Sequence, residues 1–101
     1  MKVLALERER AGVQDDDFRP HLSNEAMRAW QLYQAGVIRE MYFREDRPCA
    51  VLILECPGIS EAREALGTLP LVKQGLIDFE LIPLVPYPGF ARLFRDQQTK
   101  E

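Results

Sequence analysis

Five residues of this 101-residue chain carry most of its chemical potential: His21, Glu25, Trp30, Tyr33 and Arg39. Glu25 follows His21 by four. A helix reaching back that far stacks an imidazole one turn from a carboxylate, close enough for an acid–base pair at a pocket mouth. The plainer alternative has Glu25 complementing a helix dipole and His21 in a solvated loop. Trp30 and Tyr33 either wall a pocket for a flat ligand or form a core stripe. Arg39 lies among apolar residues just after Gly36. Its guanidinium either holds a substrate carboxylate through a bidentate contact or snorkels out to water.

Other kinds of site are poorly supplied. Asp15, Asp16 and Asp17 are neighbours in sequence without the spacing of a calcium loop, and read as a solvated loop. Cys49 and Cys56 lie seven apart in one strand, an odd spacing that puts them on opposite faces and forbids a bond between them. With a single histidine, no zinc site and no cofactor are expected. No nucleophile elbow, P-loop or glycine-rich dinucleotide fingerprint occurs. Net charge is −3 with both signs interspersed, so nucleic acid is not an expected partner. The longest apolar run, Ala50 to Leu54, is far too short for a membrane, and the charged start is no secretory signal. Unpaired cysteines suit the cytoplasm.

The elements that must position these residues follow from periodicity. Residues 2–7 read as a first strand and 9–22 as a long polar loop. A helix capped by Ser23 or Asn24 carries Ala26, Met27, Trp30 and Tyr33 at helical spacing and stops at Gly36. Strands over 37–44 and 49–56 flank a polar turn. A second helix starts at Ser60 and is interrupted by Pro70, and a fourth strand covers 76–85. The order is β-α-β-β-α-β, an α+β ferredoxin-like domain with a four-stranded antiparallel sheet and two helices on one face. Residues 86–101 form a tail, too apolar at Tyr87, Phe90, Leu93 and Phe94 to wave in solvent. Its own protomer and a neighbour are both open to it as docking places.

Strict alternation groups Val37, Arg39, Met41 and Phe43 with Ala50, Leu52, Leu54 and Cys56 on the face the helices cover. Val51 and Ile53 then fall at the centre of the opposite face. A second copy packing sheet to sheet is the economical cover for them, giving a homodimer.

From Glu25 to about Pro83 the chain resembles the muconolactone isomerase family of the dimeric α+β barrel superfamily. The ordered segments that carry the likeness are Tyr33-Gln34-Ala35-Gly36, Val37-Ile38-Arg39-Glu40, Cys56-Pro57-Gly58-Ile59-Ser60-Glu61-Ala62 and Leu69-Pro70-Leu71. The resemblance implies sheet-to-sheet pairing, larger rings, and cofactor-free proton transfer on a small organic acid or lactone. Glu25 matches a glutamate of the family's first helix and Arg39 the arginine after the glycine, implying base and carboxylate anchor; the residues' own placement adds Trp30 and Tyr33 as the expected pocket wall and His21 as the expected acid. A lysine that the family carries near the start of the first helix corresponds to Leu22 here, which implies changed chemistry on a kept fold. Two other readings stand beside it: a non-catalytic dimeric binding or regulatory module, and a cofactor-independent or haem-dependent monooxygenase.

Overall fold

The computed structural model describes residues 1–94; the tail expectation for 95–101 lies outside the described residues. Four strands, β1 (Lys2–Glu9), β2 (Ile38–Phe43), β3 (Ala50–Glu55) and β4 (Ile77–Leu84), form one antiparallel sheet in the order β2-β3-β1-β4. Helix α2 (Leu22–Gln34) and helix α3 (Ile59–Leu66) cover one face. This is the ferredoxin-like α+β arrangement, with the sheet left open along β2 and β4. No helix among the described residues is long and apolar enough to cross a membrane.

The alternation of β1 decides what lies inside. Val3 and Ala5 are fully buried against Leu54 and Leu52 of β3, and β4 adds Ile77 and Phe79. Leu32 and Ala29 of α2 and Ala62 and Leu66 of α3 close the core from above. Each buried Leu or Ile there contributes about 1.5–3 kcal/mol of transfer free energy. On the opposite face Leu4, Leu6, Val51 and Ile53 remain partly exposed beside Tyr42. The aliphatic centre expected for that face is present.

Residues 9–22 hold more structure than a loop. Helix α1 (Asp15–Phe18) and a 3-10 turn (Arg19–His21) run directly into α2. The Asp17 carboxylate accepts the Gln14 backbone N–H at 2.9 Å, so the acidic run serves as the first turn of a helix. Phe18 then packs against the core. After α3, helix α4 (Pro70–Lys73) starts with Pro70 in its first turn, where a missing N–H costs nothing.

The β2–β3 hairpin corrects one expectation. Phe43 faces Ala50, Tyr42 faces Val51 and Met41 faces Leu52, as alternation requires. Further along, Glu40 pairs with Ile53 but Ile38 pairs with Leu54, so Arg39 is the extra residue of a β-bulge. The bulge flips parity: fully buried Ile38 takes the core position, and Arg39 is exposed rather than held among apolar neighbours. Its Nε donates to the Gly36 carbonyl at 2.7 Å. Gly36 itself has φ +80°, the left-handed conformation that ends α2.

Candidate functional site

The Leu69-Pro70-Leu71 segment and Glu25 meet in space. Because proline occupies the first position of α4, the next N–H, that of Leu71, has no partner within so short a helix. Glu25, reaching over from the first turn of α2, supplies one: its Oε1 accepts the Leu71 N–H at 2.9 Å. The carboxylate is partly buried, and burial pushes its pKa above the usual range. The Leu71 hydrogen bond and the charge of His21 pull in the other direction.

A second carboxylate faces it from the sheet. Glu7 continues the inward alternation of Val3 and Ala5, lying between Phe79 of β4 and the start of β3. Its Oε1 accepts the Ala50 N–H at 2.8 Å. Burial again raises the pKa and the backbone bond lowers it, but here the neighbouring charges, Glu9 and Glu25, both raise it further. The two groups are therefore unequal. They differ in their surroundings: His21 lowers the Glu25 pKa, whereas Glu9 and Glu25 raise that of Glu7.

Between them lies a cavity of about 220 Å³ under α2. Glu7 and Glu25 are its charged lining residues, and the rest of the wall is apolar, including Leu22, Met41, Phe43, Leu52 and Leu69. An outer cavity of about 300 Å³ shares Glu7, Leu22, Phe43 and Leu71 with it and adds Arg19 from the 3-10 turn. Two raised carboxylates in an apolar, partly enclosed space are suited to moving protons to and from carbon. The outer cavity carries the Arg19 guanidinium, paired with Asp16 at 3.0 Å, beside the carboxylates of Glu7, Glu9 and Asp15.

The expected site residues fare differently. Glu25 lines the cavity; the charge of His21 acts on it, but the two side chains form no hydrogen bond or ion pair among the described residues, and His21 does not line the cavity. Trp30 and Tyr33 stack with centroids 5.7 Å apart, but each is about half exposed, and neither is a core stripe. They line a shallow outer depression that shares Ala26, Ala29 and Met41 with the cavity wall. Arg39 lines neither cavity, because the bulge turned it toward Gly36. Glu7 escaped the sequence reading, which ended the first strand there. The signal was its parity with Val3 and Ala5: a carboxylate on the buried side of a central strand. The outer edge of the site also gathers Glu7, Glu9 and Cys49, whose ligand atoms lie within 4.8 Å of one another.

No family model and no curated protein sequence matches the chain. Its fold matches two solved structures closely. One is muconolactone isomerase, with a TM-score of 0.70 and 17% identity over 87% of this chain and 92% of that one. The other is 5-chloro-2-hydroxyhydroquinone dehydrochlorinase from Burkholderia phenoliruptrix AC1100, in complex with 2,5-dihydroxybenzoquinone. It gives a TM-score of 0.63 and 17% identity over 88% of this chain and 98% of that one. At that identity the likeness establishes the fold.

Proposed function

We propose that the chain is a small enzyme of the muconolactone isomerase type, catalysing proton transfer at carbon on a one-ring lactone or unsaturated organic acid with its own side chains. The observation that carries this reading is the pair Glu7 and Glu25, both with raised pKa values, in an otherwise apolar cavity. At about 220 Å³ the inner cavity is below the roughly 300–1,000 Å³ of drug-sized sites, which suits a single ring. Glu25, ionised and held by Leu71, takes a proton from a carbon made acidic by a neighbouring carbonyl. Glu7 delivers its own proton to a second carbon across the double bond. The net change is an isomerisation, and the two carboxyl groups reset by exchanging one proton. The two structural neighbours, an isomerase of a lactone and a dehydrochlorinase of a hydroxyhydroquinone, are both named for reactions of a one-ring compound, which supports a ligand of that size.

Leu22 at the cavity wall leaves the anchoring of a substrate carboxylate to a cation at the mouth, and Arg19 stands there. The protein acts as a homodimer in the cytoplasm, the partner covering the aliphatic sheet face. Its tail favours this arrangement. Tyr87, Phe90, Leu93 and Phe94 are all more than half exposed, and the molecule measures 66 × 28 × 21 Å. Its radius of gyration is 17.8 Å, against about 13 Å for a compact chain of this length. Docking on a second copy would cover these exposed side chains.

A thermal-shift panel of one-ring lactones, dienoic acids and hydroxyquinones tests the reading on wild type and Glu25→Gln side by side. Ligand at a hundred times Kd adds about 2.7 kcal/mol, a readily measured shift. The reading expects hits that turn over with wild type and bind without turnover to Glu25→Gln. A flat panel on folded, dimeric protein points to a non-catalytic module.

A further inference from the structure

We propose that the site takes its substrate uncharged: a neutral one-ring lactone or ester, not a carboxylate anion. That narrows the proton-transfer reading above and rests on it. The charge balance along the route from the outer cavity to the inner one carries the proposal. The two linings together hold the carboxyl groups of Glu7, Glu9, Asp15 and Glu25 and a single guanidinium, that of Arg19. Among the described residues no Lys, Arg or His lines the inner cavity.

A substrate carboxylate needs a cation or several N–H donors where it comes to rest, because an ion taken from water into an apolar wall loses its hydration. Arg19, to which the anchoring of a carboxylate would fall, is already paired with Asp16 at 3.0 Å. Its side chain is 74% exposed, so water weakens what attraction it has left. Arg39 donates to the Gly36 carbonyl instead. His21 lies outside both linings, although its charge acts on Glu25. The N–H groups of Leu71 and Ala50, two residues of the inner wall, are taken up by Glu25 and Glu7. An anion would therefore be buried beside like charge without a counter-ion.

A neutral ring meets better terms. Each carboxyl group gives Oε1 to its backbone N–H and keeps its other oxygen for a ligand. Burial raises both pKa values, so one carboxyl can be protonated and donate to a ring carbonyl while the other stays ionised as base. Leu22, Met41, Phe43 and Leu52 supply contact for the ring itself. A cationic ligand is worse placed than a neutral one, because it would pair with Glu25 and tie up the base. The anion is thus rejected by unpaired charge rather than by shape.

Titration calorimetry at neutral pH tests this with three ligands on one ring: a butenolide bearing an acetic acid side chain, its methyl ester, and an aminoethyl counterpart. The ester is larger than the acid, so a preference for it cannot come from a tighter fit. The ester should bind about tenfold or more tightly than the acid. High salt and Glu9→Gln should each shrink that gap severalfold, since Glu9 is exposed and lines only the outer cavity. An acid that binds as well as the ester, or an amine that binds better, overturns the proposal and leaves proton transfer standing. A gap that neither salt nor Glu9→Gln moves also overturns it, because charge is then not its cause. Binding of none of the three removes the proton-transfer reading, and this proposal with it.

Discussion

The two faces of the sheet carry similar numbers of aliphatic side chains and put them to different ends. On the helix side, Val3, Ala5, Leu52, Leu54 and Ile77 are at most 1% exposed, and the polar exceptions, Glu7 and Glu25, sink into the same wall. On the open side, Leu4, Leu6, Val51 and Ile53 remain partly exposed, with Glu40, Glu55 and Lys2 around them. A carboxylate inside an apolar wall costs free energy and calls for a use. An aliphatic patch with a polar rim calls for a partner. The proposed chemistry and the proposed assembly thus fall on opposite faces of one sheet.

Substitutions separate the two faces. Leu54→Ala on the helix side should cost about 2–5 kcal/mol by chemical denaturation, through lost transfer energy and an unfilled cavity. Its neighbour Ile53→Ala, on the open side, should cost the protomer far less and show mainly as a dimer that dissociates on dilution. Equal costs would mean that the faces are not distinct.

Glu25→Gln tests the helix-side exceptions. Glutamine keeps an oxygen for the Leu71 N–H, so stability should change little while turnover falls about 10²–10⁴-fold. A loss of folding comparable to Leu54→Ala would instead make Glu25 a structural cap. Smaller in size is the pH effect. Glu7 and Glu25 both have folded pKa values raised above the ordinary 4.5. Their contribution to stability is therefore full below about that pH and is lost as pH rises through the folded values. Wild type should lose stability over that rise, and the Glu7→Gln, Glu25→Gln double variant should lose less. Denaturation midpoints measured from pH 4 to 8 check the sign. The smallest expected effect on the protomer belongs to Val51→Lys, within about 0.5 kcal/mol by denaturation of the isolated protomer, yet it should convert the dimer to monomer by size-exclusion chromatography.

Much of the framework was legible because local rules held. The strands, the Phe43–Ala50 and Tyr42–Val51 pairings and the glycine ends of α2 and α4 all follow alternation or capping. Arg39 was misplaced because a bulge adds one residue without a local signature, and one residue reverses every side chain beyond it. Trp30 and Tyr33 share helical spacing with core residues, but the sheet beneath α2 ends at β2 and leaves them uncovered. Glu25 was found by its helix position, although its Leu71 partner is 46 residues away. The approach of Cys49 to Glu7 and Glu9 is a tertiary fact that no spacing in the chain encodes.

The central claim is that Glu25 removes protons from carbon inside the cavity. The most direct measurement is NMR of deuterium wash-in from D₂O into one-ring lactones and unsaturated acids, comparing wild type with Glu25→Gln. The account predicts exchange at a carbon beside the carbonyl with wild type and none above background with the variant. Equal exchange rates in the two proteins, or bound ligands that exchange with neither, would contradict it.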